Sequence, residues 1–194
     1  MNNLRRVPVR YLVLLRDWLR TQGVDTSALL RMAGIEADRF ERRDATLKPL
    51  EMEEFIASAR RLTGCSDLGF ELGRLIKMTS HDLLGYGFLS CRSIDEVMRL
   101  VVRHYHLMTE TFTLRYQRDL AGSGEAIYTP AMAMPLETLR FYLEALAIAH
   151  DNQLRLMLAG SGGAYDIYMA MPAPPHLLRY QALAPTRFHF DESA

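Results

Sequence analysis

Cysteine is scarce in this chain and a surplus of charge is missing. Cys65 and Cys91 are the two cysteines, with no C-x-x-C spacing. That excludes a disulfide scaffold and fits a reducing compartment. The 23 basic and 23 acidic residues cancel, so no overall field draws the protein to nucleic acid or to an anionic membrane. Long apolar runs are absent too. After Arg5 and Arg6, the stretch Tyr11 to Leu15 is cut short by Arg16 and Asp17, unlike a signal peptide. No run approaches the ~20 apolar residues a membrane helix requires. Enzyme signatures are also lacking: there is no G-x-S-x-G, H-E-x-x-H, G-x-x-x-x-G-K-[ST] or G-x-G-x-x-G. Gly122-Ser-Gly124 joins two predicted strands and Gly160-Ser-Gly-Gly163 follows a predicted helix, so neither forms the helix N-terminus that cradles phosphate. We expect a cytoplasmic protein that is not an enzyme and carries no cofactor or metal.

What is present is periodicity, and it is sharpest from Ser93 to Tyr142. Ser93-Ile-Asp-Glu96 has the form of a capping box, and Ile94, Val97, Met98, Val101 and Tyr105 follow as one helical stripe. After Met108 the period becomes two: Phe112, Leu114 and Tyr116 alternate with polar residues. Asp119 to Gly124 is turn chemistry, Ala126 to Thr129 is a returning strand, and Pro135 opens a helix reaching about Leu158. The middle of that helix, Phe141 to Ala149, is apolar almost all round, as in a helix covered on several sides.

Upstream, Val9, Leu12, Leu15, Trp18 and Leu19 form a stripe ending near Gly23, and Asp25 or Thr26 caps a short helix reaching Met32. Met52, Phe55, Ile56, Ala59 and Leu62 mark another helix, and Leu68, Leu72, Leu75 and Ile76 one more. Thr79 to Ser90 reads as a glycine-interrupted apolar link. Downstream of the long helix, Tyr165 to Met169 and Arg187 to Phe190 read as strands. The order predicts one α+β domain over 1–194. A helical N-terminal part (1–78) packs on a small antiparallel sheet of about four strands, and residues 79–194 supply the hairpin and one long buried helix.

Arg103, His104, Tyr105 and His106 form the densest polar cluster. Histidines two apart on a helix face away from each other, so a helix-end role near the C-terminal dipole fits better than metal ligation. Tyr86, Tyr105, Tyr116, Tyr128, Tyr142, Tyr165 and Tyr168 fall on elements that should face one another. Aromatic bodies with polar tips suit a small-molecule cavity, although a core with hydroxyls reaching the surface uses the same residues. The candidate effector-binding set is therefore Tyr86, Arg103, His104, Tyr105, Tyr116, Tyr128 and Tyr142, with Arg103 or His104 meeting an acidic group. Glu144, in the apolar centre of the long helix, either lies on a narrow exposed edge, the simpler reading, or pairs with Arg103 or Arg140. Met132, Met134, Met169 and Met171 fill gaps or line an adaptable cavity. A DNA-binding helix-turn-helix over 24–48 is rejected, because Ala37 to Arg43 is short and charged and lacks an apolar face beside a groove face.

The fragments Val7-Pro-Val-Arg-Tyr-Leu, Leu29-Leu-Arg-Met-Ala-Gly-Ile35, Leu68-Gly-Phe-Glu-Leu-Gly73, Leu84-Gly-Tyr86, Pro172-Ala-Pro-Pro-His-Leu-Leu-Arg-Tyr180 and Arg187-Phe-His-Phe-Asp191, taken in order, carry a resemblance. Together they resemble the N-terminal effector-sensing (arabinose-binding-type) region of AraC/XylS-type bacterial transcription regulators. The resemblance implies a cytoplasmic regulator that binds a small-molecule effector and forms a homodimer. It implies promoter DNA binding through a C-terminal pair of helix-turn-helix motifs. No such motifs occur before Ala194, so the chain is expected to be the sensing half of a longer protein. The family offers no catalytic residues to carry over, and its effectors are diverse. An oligomerisation module without a pocket is the alternative.

Overall fold

The computed structural model describes residues 6–42, 44–158 and 164–191. Strand β1 (Val7–Pro8) leads directly into helix α1 (Val9–Thr21), whose buried Val9, Leu12, Leu15 and Leu19 follow helical spacing. The helix ends where Gly23 turns to φ 81, a left-handed conformation that glycine adopts without strain. Helix α2 (Thr26–Met32) is capped by Asp25, whose Oδ1 accepts the backbone N–H groups of Ser27 at 2.9 Å and Ala28 at 3.0 Å. A single 3-10 turn, Ala37–Phe40, follows, so no second long helix completes a DNA-reading motif there. Strand β2 (Thr46–Leu47) pairs antiparallel with β1. Helix α3 (Pro49–Thr63) starts on its proline, with Glu51 accepting the Lys48 N–H at 2.7 Å.

Helix α4 (Leu68–Leu75) is followed by a 3-10 turn, Met78–His81, and by helix α5 (Leu83–Leu89). The link read from its glycines is therefore helical. Gly85 permits this, since a Cβ there would collide with the Met78 carbonyl oxygen. Helix α6 (Ile94–His104) begins at Ser93, whose hydroxyl accepts the Glu96 N–H at 3.2 Å. Strands β3 (Phe112–Arg118) and β4 (Gly124–Pro130) form the expected hairpin, with Leu114 opposite Tyr128.

Helix α7 (Leu136–Met157) is the longest element. Its Phe141, Ala145 and Ala149 enter a core with α1–α4, and its Leu143 and Leu146 pack on a second core with α6 and β3. Ala147 and Ile148 enter a third core with Phe70 and Tyr180. Burial on three sides explains its nearly continuous apolar middle.

The chain closes with strand β5 (Asp166–Met169), helix α8 (Leu177–Gln181) and strand β6 (Arg187–Phe190). The α+β class holds, but among the described residues three separate two-stranded ladders stand in place of one small antiparallel sheet of about four strands. The β5–β6 pair is parallel, because the Ala170–Thr186 crossover containing α8 returns the chain in the same direction. The glycine run 159–163, which follows the predicted long helix, lies outside the described residues.

Helices α4 and α7 meet backbone to backbone. A Cβ on Gly73 would lie 2.6 Å from the Ile148 Cβ and 2.9 Å from the Ala145 carbonyl oxygen. In an open helix Gly→Ala gains up to about 1 kcal/mol. Here overpacking reverses the sign, and we expect Gly73→Ala to lose about 2 kcal/mol and about 4–8 °C of Tm. Chemical and thermal denaturation followed by circular dichroism measure this, and a more stable variant would contradict the close approach.

Candidate functional site

Between α1, α7 and the start of the hairpin lies a partly open cavity of about 100 Å³. That is several times the ~10–15 Å³ one water needs. Helix α7 supplies one wall through Tyr142, Ala145, Leu146, Ala149, His150 and Gln153, a run at helical spacing. The two alanines matter most, because larger side chains there would fill the space. Pro8, Tyr11 and Leu12 line the α1 side, while Met52, Leu72 and Ile76 close the floor from α3 and α4. Tyr105, Met108, Thr109, Thr111 and Phe112 come from the end of α6 and the start of β3, and Tyr128 from β4.

The polar tips of this wall are largely bonded to each other. The Tyr11 hydroxyl shares a 2.9 Å hydrogen bond with His81 Nδ1, and Gln153 Nε2 lies 2.8 Å from His81 Nε2. A neutral imidazole, with one donor and one acceptor, satisfies both contacts. The Tyr128 hydroxyl and His150 Nδ1 are 3.2 Å apart. Burial pushes both His81 and His150 down to about 4 and so keeps them uncharged near neutrality. Burial likewise raises the Tyr105, Tyr128 and Tyr142 phenols. Among the described residues the Tyr105 and Tyr142 hydroxyls are buried without a hydrogen-bond partner. Arg10, next to Tyr11, donates to Asp82 Oδ2 at 2.8 Å and to the Leu107 carbonyl at 2.5 Å, while its Nε is buried without a partner among the described residues.

Of the seven candidate residues, Tyr105, Tyr128 and Tyr142 line this cavity. The other four do not. Tyr86 is 63% exposed, on the outer face of α5, because Gly85 and Phe88 take the inner one. Arg103 is exposed and His104 is half-buried, both off the Val97–Val101–Tyr105 stripe that packs inward. Tyr116 sits beside Gly124 toward the turn of the hairpin. That places it four residues from Phe112, about 13 Å along the strand. An acidic group in the cavity would thus meet neither Arg103 nor His104.

Tyr11, His81 and Gln153 were not among the candidates. The stripe of Tyr142, Ala145, Leu146, Ala149, His150 and Gln153 is the signal that points to Gln153; for His81, next to glycine-rich α5, no local pattern exists. Glu144 is also a correction. It is 3% exposed rather than on an open edge, and it bonds neither arginine. His176 Nε2 meets its Oε1 at 2.8 Å on the side of α7 away from the cavity, and burial raises the Glu144 carboxyl. Met132 and Met134 line a second void of about 10 Å³, while Met169 and Met171 are buried in the third core.

Residues 23–194 match the family described as the arabinose-binding domain of AraC transcription regulator, N-terminal. The chain is also 24% identical, over 188 residues, to the ornithine utilization regulator of Pseudomonas aeruginosa. That alignment covers 96% of this chain and 54% of the relative, so the chain spans about half the length of the curated relative it matches.

The two neutral histidines make stability depend on pH. Ordinary histidine titrates near 6.5, and His81 and His150 are held at about 4 in the folded protein. Between those values the unfolded chain binds more protons, so stability is full above 6.5 and falls as the pH drops toward 4. The loss is up to about 3 kcal/mol per histidine. Urea denaturation from pH 4 to 7 should show this slope. His81→Gln and His150→Gln should each flatten it, and an unchanged slope in both would rule the assignment out.

Proposed function

Because this chain belongs to the family of N-terminal arabinose-binding domains of AraC-type transcription regulators, we propose that its cavity binds a small-molecule effector. Occupancy then controls DNA binding by a C-terminal helix-turn-helix domain outside these residues. The observation that carries this reading is the cavity of about 100 Å³, walled by side chains from seven helices and strands. A concave, mostly apolar space with a few converging polar groups is the usual form of a ligand site. An oligomerisation module needs no such space and is the weaker alternative.

In this reading the polar wall recognises a ligand and performs no catalysis. The domain acts in the cytoplasm as a homodimer. An effector shifts the equilibrium between two arrangements only by as much as it binds one better than the other. Helix α7 is suited to carry that difference. One side of it lines the cavity, and from the other Asp151 accepts the Thr186 hydroxyl at 2.5 Å and the Tyr165 hydroxyl at 2.7 Å.

The test is a metabolite panel read by thermal shift, beginning with arabinose and ornithine because the family and the relative carry those names. A ligand at 100 times its Kd should add ~2.7 kcal/mol of stability. That corresponds to about 5–11 °C for a domain of this size. If no compound moves the transition, the sensing role is wrong.

A further inference from the structure

The composition of the cavity wall speaks to what it can hold. No Asp, Glu, Lys or Arg lines it. Arg10, next to the wall residue Tyr11, does not line it; its Nη1 and Nη2 are bound to Asp82 and to the Leu107 carbonyl, and its Nε is buried without a partner among the described residues. A carboxylate or ammonium group moved into this space would lose its hydration without gaining an opposite charge, which costs several kcal/mol. A polyol meets a different obstacle. Each buried hydroxyl needs a partner, yet much of the wall's capacity is taken: Tyr11, His81 and Gln153 Nε2 form one group, Tyr128 and His150 Nδ1 a second, and the Thr109 and Thr111 hydroxyls a third. The Tyr105 and Tyr142 hydroxyls are the buried wall groups left without partners among the described residues. Around them the surface is aromatic: Tyr105 meets Tyr128, and Phe112 meets Tyr142, each edge to face at 5.9 Å.

Resting on the sensing role proposed above, we infer that the effector is an uncharged, predominantly apolar molecule about the size of a substituted benzene. It carries one or two hydrogen-bonding groups, and charged amino acids and sugars are excluded. Cavities of ~150 Å³ lined by apolar side chains take up benzene itself; this one, at about 100 Å³, is smaller but partly open, so a substituent projects toward its opening.

Matched probes separate charge from shape. Calorimetry on the 194-residue chain would compare benzamide with benzoate, and benzyl alcohol with benzylammonium. The neutral member of each pair should bind at least ~100-fold more tightly, the ratio expected for an unpaired buried charge. Ala149→Phe, which fills the space, should abolish that binding. Leu146→Trp is the second filling variant, and whichever keeps a cooperative melting transition decides. If the charged members bind as well as the neutral ones and a filling variant removes both, the ligand class is wrong while the sensing role stands. If no probe binds, or binding ignores the filling variants, the ligand class is wrong, and the metabolite panel decides the sensing role separately.

Discussion

Gly69 and Gly73 stand one helical turn apart on α4, and a Cβ at either would drive into α7. At Gly69 it would lie 2.9 Å from Glu144 Oε2, and at Gly73 2.6 Å from the Ile148 Cβ. Only hydrogen fits at such an approach. This contact fixes the height and rotation of α7, and much of the rest follows. With α7 so placed, Phe141, Ala145 and Ala149 face the N-terminal helices and Ala147 and Ile148 face the C-terminal strands. Glu144 is carried into the interior, where His176 meets its carboxylate. Asn152 adds a lateral tie, donating to the Gly73 carbonyl at 3.2 Å.

The same rotation produces the cavity. Ala145 and Ala149 point toward α1, and two small side chains on one face leave a gap that α1 does not close. Tyr11 and Gln153 bridge it from opposite walls through His81. Close packing normally removes such space, because a void forfeits dispersion contacts on every lining atom. Its persistence among neutral groups is what gives the sensing proposal physical content. At the far side of α7, Arg179 from α8 pairs with Asp67 and Glu71 and lies 4.1 Å from the Phe70 ring centroid. The final helix is therefore clamped onto α4 rather than onto the cavity.

Much of the fold was legible. The α1, α3, α6 and α7 stripes each gave a helix, and alternation around Phe112 gave the hairpin, because period reports which face is apolar. The cavity tyrosines Tyr105, Tyr128 and Tyr142 were also within reach, since each sits at an inward position of its own element. Tyr86 and Tyr116 look equivalent in the chain but are not. Gly85 turns one of them outward, and strand length carries the other away from the site. The parallel β5–β6 ladder was hidden for a related reason: short strands carry no mark of direction, and only the path of the intervening crossover supplies it.

The linear chain by itself determined the local periods, the caps and starts such as Asp25 and Pro135, and the absence of charge imbalance. These depend on neighbours within a few positions. The tertiary structure alone decided that Glu144 would be buried against His176, that Arg103 would stay outside, and that Tyr11, His81 and Gln153 would converge. A cavity is space left over when faces meet, and its shape depends on side chains 70 or more positions apart. No local pattern encodes a gap.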